Sequence, residues 1–373
     1  MRVKVKSILE GQIQKELYKS KVVLYGAGIS GERILTLLKP YCIDCAYVID
    51  DDPSRWGNRI EDIEIISFDE FVEKCLNFTK VSVILATIYG KTVLKRLEGI
   101  ADIVDIEVYE MYAWMDEAYD LGGLKDKLSN KGEIERFNKE KVLLKERMAD
   151  EESKKVLDGL YNYMNSKDFN IISDICTEYD QYFIPEIRSA IHQPLKLIDG
   201  GAYTGGLYQA IKKYDIKLER WYCFEADTNN FKQLLVCSER LKLGKTQVCV
   251  NKGLWKCADN LYFEYEKGSD SKIVDYKTEV QIETVSIDTY FSDCDCNFIK
   301  MDIEGAEYFA LQGAMQVIKR DRPILAISIY HSIEDFYRIP KYLMDELCGY
   351  KFYVRHHALI CCETVLYAIP DEY

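Results

Sequence analysis

One local pattern occurs twice in this chain and restricts the fold more than any other feature. "KVVLYGAGISGERILTLL" begins at Lys21 and is followed by "CAYVIDDD"; "LKLIDGGAYTGGLYQAIKKY" begins at Leu195 and is followed by "RWYCFEAD". Each copy is a short apolar run, a glycine-rich turn, a helical period, a second apolar run and a carboxylate. Continuous apolar runs such as residues 22–25 and 197–198 fit parallel strands buried on both faces. Two such openings predict two α/β domains, each with a doubly wound sheet.

The rest of the pattern divides the chain into three. Residues 1–115 form the first domain, with further strands expected at 63–66, 81–86 and 104–107 and helices at 68–76 and 89–97. After Trp114 the sequence becomes rich in Glu, Lys and Asp. Residues 116–165 are expected to be a charged helical connector whose charges form a solvated face. Residues 166–373 form the second domain, with helices expected at 152–165, on its approach, and at 173–192. Strands follow at 195–199, 221–225 and 247–250, then an antiparallel insertion, "LYFEYE" and "VQIETVSI". Strands at 297–301 and 324–329 come next, then the closing pair "KFYVRHH" and "TVLYAI". The expected fold is α/β: an N-terminal Rossmann-like domain, then a sheet of the class I methyltransferase type with an antiparallel closing hairpin. That order of strands fits such a sheet better than a plain dinucleotide fold.

Composition removes several alternatives. The net charge of −13 argues against broad, sequence-independent nucleic-acid binding, which needs a basic surface. Arg2, Lys4 and Lys6 are followed by no long apolar run, and no stretch approaches a membrane span, so a cytoplasmic protein is expected. The 13 cysteines are scattered, as at Cys42 and Cys45 or Cys294 and Cys296, without paired zinc-finger spacing. Most of them read as small buried thiols, and the set fits a reducing compartment.

The first turn is G-x-G-x-x-G at Gly26, Gly28 and Gly31. Glycines there let a backbone approach a pyrophosphate placed on a helix N-terminus, and Asp50 ends the next strand where a ribose-binding carboxylate belongs. A nucleotide, a nucleotide sugar or NAD is the candidate ligand; a turn kept for packing alone is the competing reading. The segment "DDDPSRWGNRIEDIEIISFDEF" resembles the small Rossmann-like domain that precedes acyltransferase or methyltransferase modules in bacterial sugar-modifying enzymes.

The second turn differs. Asp199 ends its strand, Gly201 and Gly205 keep two glycine positions of a D-x-G-x-G-x-G turn, and Tyr203 takes the middle one. A cofactor with an amino acid, a sulfonium and a nucleoside suits this turn. Glu225, closing the next strand, suits a bidentate hydrogen bond to ribose hydroxyls. Asp227 either joins it or caps the following helix. The motifs "LIDGGAYTGG", "YCFEAD", "NKGLW", "VSIDTYF", "FIKMDIEGAEYFALQGA" and "RPILAISIYHS" occur in the order found in the FkbM family of methyltransferases, which the chain resembles from Asp180 to its C-terminus. The resemblance implies S-adenosylmethionine-dependent methylation of a hydroxyl oxygen on a sugar or natural product. Asp199, Gly201, Ala202, Tyr203, Gly205, Glu225, Ala226 and Asp227 are then the expected cofactor-binding residues.

Methyl transfer to a hydroxyl needs an aligned oxygen and a group that takes its proton. Asp302, Glu304 and His331 fall at strand ends, where chemistry collects in doubly wound sheets. His331 is the expected base or base-orienting residue, because its ordinary pKa lies near neutrality; a structural histidine is the alternative. Glu307 is expected to serve the first turn of its helix. Lys300 is expected to reach a neighbouring carboxylate or an anionic substrate. Asp302 and Glu304 would need further ligands to hold a cation, and none is evident, so no metal is expected. Tyr203, Trp255 and Tyr330 are candidates to line adenine or acceptor, and Tyr182 and Phe183 to cover the cofactor. The expected partner is a small-molecule or glycan-precursor acceptor. The competing functions are an NAD-linked oxidoreductase, which lacks placed catalytic residues, and a scaffold or sensor with a non-catalytic methyltransferase domain.

Overall fold

The computed structural model describes residues 5–8, 10–87, 91–112, 115, 118, 130–243, 246–264, 272–274, 277–278 and 280–373. Trp114, the start of the helix expected at 89–97 and most of residues 116–129 lie outside them. The chain divides into two compact units. The first comprises Met1–Lys131, Asn162–Glu178 and Ala358–Cys361; the second comprises Gly132–Tyr161, Tyr179–His357 and Cys362–Tyr373. Among the described residues there are two seven-stranded sheets and one of four strands.

The first unit holds β1 (Val5–Ser7), β2 (Lys21–Tyr25), α1 (Ile29–Leu38), β3 (Cys45–Ile49), β4 (Arg59–Ile60), β5 (Ile63–Ile66), α2 (Phe68–Cys75), β6 (Lys80–Leu85), α3 (Lys91–Ile100) and β7 (Asp105–Glu110). Its sheet runs β1-β7-β6-β2-β3-β5-β4 and is parallel except for β4 against β5. Strand order reverses beside β2, so the first glycine turn lies at a topological switch point. Val22, Leu24, Ile34, Leu35, Val48 and Ile84 are buried in its core. The apolar runs β2 and β6 are thus buried on both faces, as continuous hydrophobic strands require.

Residues 130–166 are largely helical, in α4 (Lys131–Glu146) and α5 (Glu151–Ser166). Their charges partly pair: Lys141 lies 2.8 Å from Asp158, which also meets Lys145. The helix expected over 173–192 is broken. α6 (Phe169–Ile175) ends before Cys176, and α7 (Pro185–Ala190) restarts at a proline in its first turn. Pro185 rules out a helix running through residue 184, because a residue before proline is pushed out of the α region; Ile184 has φ −59° and ψ 161°.

The second unit continues with β8 (Leu195–Gly200), α8 (Leu207–Lys213), β9 (Leu218–Phe224), α9 (Thr228–Leu241) and β10 (Gln247–Val250). A side sheet follows, in the order β11-β14-β12-β13, from β11 (Gly253–Leu254), β12 (Asn260–Glu264), β13 (Lys272–Val274) and β14 (Val280–Val285). The chain then returns through β15 (Phe298–Met301), α10 (Glu307–Gln312), α11 (Met315–Asp321), β16 (Ile324–Ser328), α12 (Asp335–Glu346), β17 (Tyr350–His356) and β18 (Thr364–Pro370). The main sheet is ordered β10-β9-β8-β15-β16-β18-β17, with β18 antiparallel to both of its neighbours. This is the class I methyltransferase order with its closing hairpin, as the strand pattern predicts. The order reverses between β8 and β15, so the second glycine turn and the carboxylates after β15 share one switch point.

Candidate functional site

The register of β8 and β15 builds the floor of the site. Lys300 is the cross-strand partner of Asp199, and Met301 of Gly200. Buried Lys300 lies 3.0 Å from an Asp199 oxygen, and its Nζ donates to the carbonyls of Gly200 at 2.9 Å and Gly201 at 2.6 Å. Burial lowers the Lys300 pKa, but Asp199 and Asp302 outweigh it and the net shift is upward. Lys300 therefore takes the first of its two expected roles, a neighbouring carboxylate. Trp221 Nε1 donates to the other Asp199 oxygen at 3.1 Å. Asp199 is fully buried, so it supports the turn from beneath.

Above this floor, the Gly201 and Ala202 amides both donate to Phe224 O at 3.0 Å. Gly201 has φ +70°, and a Cβ there would stand 1.8 Å from Asp302 O. The turn and the Asp302 backbone touch, and only glycine fits the contact. Glu225 closes the ring: its two oxygens accept from Tyr203 N at 2.8 Å and Asp227 N at 2.9 Å. Burial, with Asp227 adding to it, pushes its pKa up to about 7 against those amides and Lys300. Asp227 caps α9 by accepting from the amides of Asn229 and Asn230. Tyr203, at φ +49°, is half-exposed at the mouth of the turn.

A second group forms where β15 and β16 end. Asp302 Oδ2 accepts from the Tyr182 phenol at 2.8 Å and Oδ1 from the Tyr330 phenol at 3.1 Å. His331 Nε2 lies 3.4 Å from Asp302 and 3.3 Å from Glu304, and Nδ1 lies 3.1 Å from Glu307. The fold thus brings Asp302, Glu304 and His331 together. Burial alone would lower the His331 pKa; Glu307 and Glu304 raise it well above its ordinary value. The near-neutral pKa that suggested a base does not survive in this surrounding. Burial raises the Asp302 pKa, but His331, Lys300 and the two phenols outweigh it and hold the group below its ordinary range. Glu304, at φ +56°, is shifted upward by burial and then by Asp302 and Glu307.

The sequence reading misses Glu363 and Gln181 and gives Glu307 and Tyr182 other roles. Glu307 opens α10, as expected, but is fully buried; its Oε1 accepts from Ile303 N at 2.7 Å and faces His331. The apolar run around it gave the signal, since a surface-capping glutamate has no need of burial. Glu363, from the closing hairpin, is pushed up to about 8 by burial and by Asp302. Gln181 Nε2 donates to it at 2.5 Å. Tyr182 reaches Asp302, where "DQYF" suggested a cover for the cofactor or packing. Trp255 packs on Phe309 at 4.4 Å between ring centroids.

The first glycine turn is closed by the same device. Asp50 accepts from Ala27 N at 2.7 Å and from Asp52 N at 2.9 Å, as Glu225 does from Tyr203 and Asp227. Arg55 Nη1 donates to Ala27 O at 2.6 Å. Gly31 packs so closely on the turn that a Cβ would stand 2.3 Å from Gly26 O. Gly28 is the N-cap of α1. Gly26, Gly28, Gly31 and Asp50 therefore lie together, and packing alone already requires Gly31.

Residues 199–352 match the sequence model of the methyltransferase FkbM domain. This segment is similar to a methyltransferase FkbM domain. It begins at the buried Asp199 and runs through Glu225, the carboxylates after β15 and His331 to β17. The chain is also similar to the crystal structure of methyltransferase FkbM from Methylobacillus flagellatus KT, with 20% identity, 96% of this chain and 92% of that one covered, and a TM-score of 0.54. At that identity the likeness establishes the fold. UDP-D-quinovosamine 4-dehydrogenase from Vibrio fischeri is similar over 24% of this chain and 77% of its own, at 20% identity and a TM-score of 0.21. An rRNA methylase from Streptococcus thermophilus is similar over 49% of this chain and 90% of its own, at 10% identity and a TM-score of 0.33. No curated protein matches the chain. Among the described residues, no helix is long and apolar enough to cross a membrane.

Proposed function

We propose that the second unit is an S-adenosylmethionine-dependent methyltransferase acting on a hydroxyl of a sugar, nucleotide sugar or glycan precursor. The observation that carries this reading is Glu225 at the end of β9, inside the segment similar to the FkbM domain and beside the glycine turn. Each of its oxygens accepts one amide and keeps a lone pair, a donor–acceptor set that fits the two hydroxyls of a ribose. Gly201, Ala202, Tyr203 and Gly205 offer backbone to the amino-acid part of the cofactor, Asp199 fixes that turn through Lys300, and Ala226 and Asp227 flank the nucleoside. When bound, the cofactor supplies an electrophilic methyl on a sulfonium. Glu304 accepts the hydrogen bond of the acceptor hydroxyl and takes its proton, while His331 holds Glu304 and Asp302 in place and Asp302 balances the His331 charge. In the first unit, Gly26, Gly28, Gly31 and Asp50 hold a nucleotide, nucleotide sugar or NAD.

Calorimetric titration of the full chain with S-adenosylmethionine tests the reading, together with the product masses formed from a labelled methyl donor and a panel of nucleotide sugars. Saturable binding is expected, and Glu225→Ala should weaken it at least about tenfold, the range for losing a hydrogen bond to a charged group. His331→Ala should leave binding in place and lower turnover. Absence of binding, with tight NAD binding instead, would overturn the proposal.

The Glu225 environment also gives a pH dependence. With its pKa at about 7, the carboxylate is increasingly protonated below neutrality and loses acceptor capacity. Cofactor affinity should therefore rise with pH up to about 7, by up to about tenfold per unit, and level off above it. Folding linkage has the opposite sign. A raised pKa stabilises the native state at low pH, and that contribution is lost as pH rises through about 7. A cofactor affinity that is flat from pH 5 to 8 would remove Glu225 from the ribose site.

A further inference from the structure

The second unit concentrates negative charge around a single imidazole. Asp302, Glu304 and Glu307 all lie within 3.4 Å of a His331 nitrogen. Lys300, the nearest lysine by sequence, is engaged by Asp199 and two carbonyls. Buried carboxylates are stable only when a cation or a full set of donors compensates them. The donors are incomplete. Glu307 is fully buried and its Oε2 has no hydrogen-bond partner among the described residues. The His331 side chain is 10% exposed, and among the described residues neither ring nitrogen makes a hydrogen bond of acceptable geometry.

We propose that Asp302, Glu307 and His331 hold a divalent metal ion. One ligand atom from each lies within 4.8 Å of the others, a spacing that a single ion can span. The three come from the end of β15, the first residue of α10 and the segment after β16, so three elements of the sheet's switch point meet there. Two carboxylates and one imidazole favour a hard ion such as Mn2+ or Mg2+ over a thiolate-loving one. A sequence reading sets metal aside because Asp302 and Glu304 lack further ligands. The fold supplies them by burying Glu307 and bringing His331 across.

The ion's catalytic use rests on the proposed methyl transfer to a hydroxyl. Coordination of the acceptor oxygen makes its proton more acidic. The proton passes to Glu304, the O–C bond forms with the oxygen lone pair, and the C–S bond breaks with its electrons returning to sulfur. Binding of the ion itself does not depend on that reading.

Mn2+ titrated into the chelator-treated full chain, without cofactor or acceptor, tests the site. Electron paramagnetic resonance should show one bound Mn2+ per chain, and spin-echo modulation should show a directly bonded imidazole nitrogen. Glu307→Gln should weaken Mn2+ binding at least about tenfold. His331→Gln should abolish the nitrogen modulation, which a change in folding alone would not do selectively; circular dichroism of each variant reports folding separately. Failure of the wild-type chain to hold Mn2+, or Mn2+ held without nitrogen modulation, overturns the metal site. Cofactor binding without Mn2+ binding leaves the methyltransferase proposal standing and removes only this one; Mn2+ binding without cofactor binding does the reverse.

Discussion

Gly201→Ala is expected to destabilise the second unit by about 3 kcal/mol or more and to abolish cofactor binding. Two effects combine. At φ +70° an L side chain is strained, and the new Cβ would stand 1.8 Å from the Asp302 carbonyl oxygen. That oxygen belongs to backbone on the next strand's exit, and Asp302 N is itself bonded to Gly200 O at 3.1 Å, so it has little freedom to retreat. The glycine turn and the Asp302 segment would have to separate, which disturbs the cofactor and acceptor sides of the site together. Gly206→Ala is the control. A Cβ there meets nothing within 4 Å, and the residue is already in the α region with φ −59°. Its expected change is within about 0.5 kcal/mol. Urea unfolding followed by circular dichroism, with calorimetric cofactor titration on each variant, distinguishes them. Equal stability of the two variants would mean that the turn and the Asp302 backbone are not in contact.

The parts of this architecture that depend on local pattern were readable in advance. Apolar runs buried on both faces announced β2, β8, β15 and β16, and the antiparallel pair at the C-terminus announced the closing hairpin. Proline chemistry was the missed local signal: Pro185 ends any continuous helix through residue 184. The site was readable only where one motif contains the whole contact. Glu225 and the glycine turn belong to consecutive elements, and their meeting follows from the strand–turn–helix–strand order. The Lys300–Asp199 pair depends on the register of β8 against β15, which nothing within either motif specifies. Glu363 arrives from the hairpin, and Tyr182 from before the sheet begins. Glu307 shows why residue type is insufficient. A glutamate at a helix start is normally a surface charge that favours the dipole, and here burial turns it inward to His331.

Lys300→Met carries the other large expected effect, and it discriminates between the two roles a lysine at this position allows. If Lys300 served an anionic substrate, its loss would raise KM and leave stability unchanged. In the structure it is buried, 3.0 Å from buried Asp199, and its ammonium donates to the two carbonyls that shape the turn. Methionine keeps much of the side-chain volume but leaves Asp199 without its cation, with Trp221 Nε1 donating to one oxygen. Removing one partner of a buried pair costs about 3–5 kcal/mol, because the remaining charge stays uncompensated. Asp199→Asn in the Lys300→Met background removes that charge and should recover a large part of the loss, a coupling that a double-mutant cycle measures directly. The cycle separates the charge pair from the turn. Stability recovered without recovered cofactor binding identifies the bonds to Gly200 and Gly201 as the functional part of Lys300. Recovery of both would make the ion pair sufficient. A Lys300→Met protein as stable as the wild type would contradict the placement of Lys300 beneath the turn.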